Sequence, residues 1–148
     1  MKATGTVLAS GNAAGEALVL DEPLSFWGGV DPGTGRIVDG RHPQAGNSIR
    51  GRVVVMPAGR GSSSSSTVLA EAVRAGTGPV AVVLREPDAI LAVGALVAAA
   101  LYGLACPVLV LDHASYSMIG TGDRVEVIDV EEGALVRVEE GGTSGQSA

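Results

Sequence analysis

The chain has 148 residues, of which 46% are hydrophobic and 18% charged, and its formal net charge is −6. This length and composition predict one globular domain and exclude a disordered chain. The negative charge and an aromatic content of 3% exclude nucleic acid as a partner, because basic stripes and stacking platforms are both lacking.

The first third of the chain is typical of short strands. Short strands are expected over 5–9, 16–20 and 36–39, separated by glycine, asparagine and proline, the residues that favour turns. The middle third alternates between strand and helix patterns. It predicts strands over 52–56, 80–84 and 108–111, joined by helices over 67–75 and 89–102.

The last third predicts a hairpin, with strands over 124–130 and 134–138 joined by a turn at 131–133. A single domain over 1–140 and a disordered tail over 141–148 complete the expected organisation. The strand–helix–strand–helix–strand rhythm predicts a parallel sheet segment with packed helices. We therefore expect an α/β domain of the β/β/α kind, a β-rich, barrel-like shell around a short βαβαβ core.

The segment 89–111 carries no charge and is long enough to suggest a membrane span. Gly103 and Pro107 interrupt it and no basic residues flank it, while Asp88 is placed to cap a helix beginning at 89. We therefore expect no membrane partner and a helix that is buried by its own domain or by a protein partner. The first residues, 1–5, lack the apolar region of a signal peptide, so the expected location is cytoplasmic.

Cys106 is the only cysteine, which excludes an internal disulfide. One thiol cannot by itself hold zinc or an iron–sulfur cluster, so no metal site is expected on this chain alone. Its apolar neighbours predict that Cys106 is a small core residue.

The most informative motif is Gly59-Arg60-Gly61 followed by five serines, Ser62 to Ser66. It lies between a strand pattern and a helix pattern, where unpaired backbone N–H groups and the helix dipole favour an anion. Arg60, Gly61 and Ser63 are therefore candidate contacts to an anionic substrate, and the hydroxyls offer a nucleophile or a proton-transfer group. A flexible serine linker is the alternative, although hydrophobic segments border the run on both sides. The motif lacks the Gly-Lys-Ser/Thr of a nucleotide-binding loop and the third glycine of a dinucleotide fingerprint.

A second group of unusual residues lies over 26–43, which holds the only tryptophan, the only phenylalanine and His42. Glycines permit close approach of a ligand to the backbone, and aspartate, histidine and arginine can bind it. A pair of tight turns around a short strand accounts for the same residues, with turns at Asp31-Pro32-Gly33 and Asp39-Gly40. Both interpretations stay open on residue types alone.

These two motifs, in this order, resemble the swivel subunit of the aconitase X family. The resembling pattern is Gly-Gly-Val-Asp-Pro-x-Thr-Gly-x-Ile-x-Asp-x-x-His-Pro, followed about sixteen residues later by Pro-x-Gly-Arg-Gly-Ser-Ser-Ser. The resemblance extends from about residue 11 to residue 138. Members of this family are dehydratases related to aconitase, built from a large catalytic part and a small swivelling part on one chain or two.

The resemblance implies that Ser62 is the proton acceptor of a dehydration. It also implies that Gly29, Asp31 and His42 contact substrate in a cleft between the two parts. A large partner subunit would carry the cysteines for an iron or iron–sulfur centre, which acts as a Lewis acid on the departing hydroxyl. The lone Cys106 is compatible with that division.

Two anionic substrates are associated with the family. Bacterial members resemble cis-3-hydroxy-L-proline dehydratases, which form Δ1-pyrroline-2-carboxylate, and archaeal members resemble mevalonate 5-phosphate dehydratases. The serine run here is closer to the bacterial pattern, so hydroxyproline is the leading expectation. Two hypotheses of other classes are a non-catalytic anion-binding module and a structural homo-oligomer that associates through helix 89–102.

Overall fold

The structure is a computed structural model that describes residues 1–141, and a seven-stranded closed barrel dominates it. The strands are β1 (Lys2–Ala9), β2 (Ala13–Val19), β5 (Val53–Met56), β6 (Ala81–Leu84), β7 (Val108–Val110), β8 (Arg124–Val130) and β9 (Gly133–Glu139). Around the barrel they follow the order β1-β7-β6-β5-β2-β8-β9. Strands β1 and β7, β1 and β9, β2 and β8, and β8 and β9 pair antiparallel.

Four neighbouring strands of the barrel, β2, β5, β6 and β7, run parallel. Helix α2 (Ser65–Ala75) connects β5 to β6, and helix α3 (Ala89–Tyr102) connects β6 to β7. The carboxyl ends of these strands therefore lie at one edge of the barrel, which is where α/β sheets usually bind ligands.

A small hairpin outside the barrel and two single turns complete the described structure. The hairpin pairs β3 (Val30–Asp31) with β4 (Arg36–Ile37). The first turn, α1 (Phe26–Gly29), precedes the hairpin, and the second, α4 (His113–Tyr116), follows β7.

Side chains alternate along the barrel strands and divide the core in two. Val53, Val55 and Val83 point inward with residues from the antiparallel strands and fill the barrel. Val54 and Val82 point outward, where they pack with Leu69 of α2 and Leu91 of α3. This alternation is the period of two expected for strands that are buried on both faces.

The expected β/β/α, barrel-like fold is confirmed, as are the βαβαβ order and the C-terminal hairpin. The three parallel strands of the βαβαβ unit form part of the barrel wall itself. The strand expected over 36–39 ends at Ile37, because Asp39 turns the chain by accepting the backbone N–H groups of Arg41 and His42. The predicted tail over 141–148 lies outside the described residues, except for Gly141.

Helix α3 begins where the sequence predicts. The Asp88 side chain accepts the backbone N–H groups of Ile90 and Leu91 at 2.8 and 3.0 Å, and Gly103 ends the helix in the left-handed conformation. Helix α3 has 14 residues, and no helix within residues 1–141 is long and apolar enough to span a membrane. One face of α3 is buried, and Leu96 and Leu101 lie on its exposed face.

Candidate functional site

The Gly-Arg-Gly-Ser segment is the connection between β5 and α2, at the carboxyl edge of the parallel strands. Ser65 and Ser66 already belong to α2, and Ser62 to Ser64 form the turn that leads into it. The serine run is therefore a turn and a helix start, and the linker alternative does not hold.

Gly59 lies where the connection passes closest to the rest of the fold. It forms a parallel bridge with Leu24, and a Cβ atom at this position would overlap the carboxylate of Asp88. Because that carboxylate also caps α3, the glycine lets the segment pass directly against the start of the second helix. The N-termini of α2 and α3 therefore lie close together, and the Ser66 hydroxyl donates to the carbonyl of Ile90 at 2.6 Å.

Two contacts join this connection and the start of α2 to the segment over 25–29, and a third bond lies within that segment. Gly61 has a φ of +100°, and a Cβ atom there would overlap the hydroxyl of Ser25. That hydroxyl donates to the carbonyl of Trp27 at 2.8 Å, while the Trp27 backbone N–H donates to the Ser65 hydroxyl at 3.1 Å. The two motifs singled out in the sequence are therefore adjacent at the N-terminus of α2.

Ser62 is exposed at this junction. Its Oγ accepts the backbone N–H of Ser64 at 3.0 Å, and its carbonyl accepts the N–H of Ser65 at 3.0 Å. A hydrogen bond from a backbone N–H stabilises the negative charge of an alkoxide more than it stabilises a neutral hydroxyl. This bond therefore lowers the energetic cost of an alkoxide at Ser62.

The surroundings of Ser62 also offer unused donors. Within residues 1–141, the backbone N–H groups of Gly61, Ser62 and Ser63 have no protein acceptor, and the exposed guanidinium of Arg60 has no ion pair. Successive backbone N–H groups before a helix, together with a permanent positive charge, can bind a carboxylate or a phosphate.

Gly29 ends a turn whose dihedral angles are those of a type II β-turn and not of a helix. Trp27 has φ −73° and ψ 115°, Gly28 has φ +79° and ψ −15°, and the N–H of Val30 donates to the carbonyl of Phe26. Gly28 supplies the positive φ that this turn type requires. Gly29 itself is buried, and a Cβ atom there would crowd Leu24. It therefore shapes the turn beside α2.

Asp31 lies further from Ser62. Its carboxylate accepts the backbone N–H of Gly33 and the hydroxyl of Thr34, which closes the tip of the β3–β4 hairpin. The next residue, Pro32, accepts the hydroxyl of Thr77, just beyond the C-terminal end of α2. Since α2 is 11 residues long, about 16 Å of helix separates this region from the Ser62 end. The structure does not bring Asp31 next to Ser62, and a substrate contact there stays a prediction.

His42 is buried, with 5% of its surface exposed, and both ring nitrogens are engaged by the backbone. Nδ1 accepts the N–H of Gln44 at 3.0 Å, so Nε2 carries the proton and donates to the carbonyl of Glu22 at 3.1 Å. These bonds hold the loop that follows β2. A contact between His42 and substrate stays a prediction.

Cys106 is confirmed as a core residue, with 2% of its surface exposed. Burial raises the pKa of its thiol to about 12, and its Sγ lies 3.5 Å from the carbonyl of Pro79. A protonated, buried thiol is unsuited to ligate iron. No group of three or more histidine, cysteine, aspartate or glutamate residues within 1–141 is placed to hold a metal ion.

Two residues near the site, Ser25 and Tyr116, were not singled out in the sequence. The Ser25 hydroxyl donates to the Trp27 carbonyl, and Tyr116 at the same edge of the barrel lies under the guanidinium of Arg85, 5.7 Å from the ring centroid. Burial raises the pKa of Tyr116. Isolated serines and tyrosines carry no motif, so only the tertiary contacts reveal them.

The chain is similar to proteins of known family over most of its length. The family model described as the aconitase X swivel domain matches residues 2–138. The chain belongs to the aconitase X swivel-domain family. A crystal structure of Thermococcus kodakaraensis aconitase X in its holo-form superposes with a TM-score of 0.80 at 34% identity, covering 95% of this chain and 99% of that one.

Two named relatives show how the swivel domain is arranged elsewhere. The cis-3-hydroxy-L-proline dehydratase of Pseudomonas aeruginosa is 47% identical over 104 residues, which are 70% of this chain but only 18% of that protein. The phosphomevalonate dehydratase small subunit of Methanothermobacter thermautotrophicus is 39% identical over 131 residues, 87% of this chain and 94% of that one. The same domain thus occurs as a small part of a long chain and as a separate small subunit.

Proposed function

We propose that this chain is the small subunit of a two-chain dehydratase of the aconitase X type, and that Ser62 accepts the proton removed from the substrate. The bond from the Ser64 N–H to the Ser62 Oγ carries this proposal. A hydrogen bond to a charged group contributes about 1.5–3 kcal/mol, so this bond lowers the cost of the alkoxide by that order. The α2 N-terminus and Arg60 add to the same effect.

The substrate is a small hydroxy acid that carries an anionic group. Arg60 and the free N–H groups of Gly61 and Ser63 supply the donors for that group. The identity of 47% to the Pseudomonas aeruginosa enzyme supports cis-3-hydroxy-L-proline, which would lose water to form Δ1-pyrroline-2-carboxylate. The alternative, mevalonate 5-phosphate, is supported by the match to 94% of the archaeal small subunit.

The large subunit supplies the rest of the active site. The described residues of this chain do not fit an iron or iron–sulfur centre, since Cys106 is buried and no other ligand group is assembled. We therefore assign any such centre to the partner and the proton acceptor to this chain. An isolated swivel subunit is then expected to be inactive.

Reconstitution tests this proposal. The small chain and its cognate large subunit are assayed separately and mixed, with cis-3-hydroxy-L-proline and with mevalonate 5-phosphate, by detection of the dehydrated product. Activity only in the mixture supports the proposal, and the active substrate decides between the two alternatives. Absence of any complex, together with tight binding of phosphate or a carboxylate by the isolated chain, would favour a non-catalytic anion-binding module instead.

A further inference from the structure

The only tryptophan of the chain lies next to the start of α2, with most of its side chain exposed. Trp27 is 59% exposed, whereas Phe26 directly before it is fully buried. An indole is one of the largest apolar groups in proteins and usually buries 150–250 Å². Because tryptophan is enriched at protein interfaces, an exposed one near a candidate site is a candidate contact for another molecule.

The Trp27 backbone is held firmly, although its side chain is exposed. Its N–H donates to Ser65 at the start of α2, and its carbonyl accepts the hydroxyl of Ser25. Gly28 occupies the position of the type II turn that needs a positive φ, with open space around it. A side chain presented on a fixed backbone loses little conformational entropy when it is buried.

A second exposed apolar side chain belongs to a segment that is bonded to the same turn. Val38 is 55% exposed, and its backbone N–H donates to the carbonyl of Gly29 at 2.9 Å, so the two segments are joined. Gly61, whose Cβ position would meet Ser25, connects the turn at 26–29 to the turn that carries Ser62. A molecule that covers Trp27 would therefore approach the candidate catalytic turn.

We infer that Trp27, with Val38 beside it, anchors this chain to its large subunit and holds the Ser62 turn against the partner's half of the site. This inference rests on the proposed function. Tryptophan is enriched among the residues that dominate interface energies, at the centre of protein contacts and within pockets. The partner's contribution is an apolar pocket that accepts the indole.

The single tryptophan gives the inference a direct assay. Trp27 fluorescence is followed while the small subunit is titrated with a large subunit whose own emission is subtracted, and acrylamide quenching is measured for the free and the bound state. A shift of emission to shorter wavelength and protection from acrylamide are expected on binding. Unchanged quenching in a complex that demonstrably forms would overturn the inference.

Variants test whether Trp27 contributes more to the affinity of the complex than another exposed apolar residue does. Trp27→Ala is expected to weaken the complex at least ~30-fold, the hot-spot threshold of about 2 kcal/mol. Trp27→Phe retains an aromatic ring and is expected to lose much less. Leu101→Ala is the matched control, because Leu101 is 68% exposed on α3, and it is expected to change the affinity less than threefold.

Three other results would refute the inference in different ways. If Leu101→Ala weakens the complex and Trp27→Ala does not, the exposed face of α3 is the docking surface. If Trp27→Ala preserves affinity but raises KM, the indole contacts the substrate and not the partner. If the wild-type chains do not associate, the proposed function itself fails, which the titration distinguishes from failure of the anchor alone.

Discussion

The substitution Gly61→Ala tests whether the backbone before Ser62 is held by its contact with Ser25. Gly61 adopts a φ of +100°, and a methyl group there would overlap the Ser25 hydroxyl, which donates to the Trp27 carbonyl at 2.8 Å. The change therefore introduces backbone strain and also displaces a hydrogen bond.

The expected cost is the sum of these two effects. A side chain at positive φ costs about 1–2 kcal/mol, and loss of the Ser25 hydrogen bond costs about 0.5–1.5 kcal/mol. The free energy of unfolding should therefore fall by about 1.5–3.5 kcal/mol. Gly46→Ala is the matched control, because Gly46 has a φ of +89° and open space around it, so it carries the strain without the contact.

Urea unfolding followed by circular dichroism measures both variants. With a slope of about 2 kcal/mol/M, Gly61→Ala should lower the midpoint by roughly 1–2 M. It should destabilise the protein by about 1 kcal/mol more than Gly46→Ala does. The further change Ser25→Gly removes the overlapping atoms, so the double variant should lose less than the sum of the single ones. Equal losses for Gly61→Ala and Gly46→Ala would refute the proposed contact.

Three further predictions concern residues around the site and in the core. His42→Ala should lower the free energy of unfolding by about 2 kcal/mol in urea titrations, because it leaves the Glu22 carbonyl and the Gln44 N–H without their partner. A change in KM without loss of stability would contradict this structural role. Asp88→Ala should lower the free energy of unfolding by about 1 kcal/mol, because it removes the cap of α3. In the same titration, Glu86→Ala should have little effect, since Glu86 is exposed. Equal losses of stability for the two variants would contradict the capping role. Cys106 should resist iodoacetamide at pH 8.5 unless the chain unfolds, since its folded pKa of about 12 keeps the thiol protonated; rapid labelling of the folded chain would disprove this. Because folding raises this pKa, the stability contributed by the protonated thiol is full below the unfolded value and is lost as the pH rises toward 12.

Much of the fold follows from local sequence patterns. The alternating strand and helix runs predict the βαβαβ unit, and Asp88 predicts the start of α3 within one residue. Closure of the barrel is not predictable in this way, because it depends on β1 pairing with both β7 and β9. Those partners lie about a hundred residues or more away along the chain, and their pairing depends on tertiary packing.

The candidate site is likewise only partly predictable from the sequence. The turn that exposes Ser62 is predictable, because a glycine-rich connection between a strand and a helix produces such a turn. The positions of Asp31 and His42 are not, because both residue types serve turns and ligands equally well. The structure shows Asp31 bonded within its own turn and His42 bonded to Gln44 and to Glu22 in the segment after β2, and these partners follow only from the tertiary structure.

The central claim is tested most directly by the turnover of the reconstituted complex with Ser62→Ala. Ser64→Ala is the matched control, because it removes a hydroxyl from the same turn while retaining the N–H that binds Ser62. We predict that Ser62→Ala lowers kcat at least ~100-fold while the two chains still assemble, and that Ser64→Ala changes kcat only a few-fold. Turnover by an assembled Ser62→Ala complex at the wild-type rate would contradict the account.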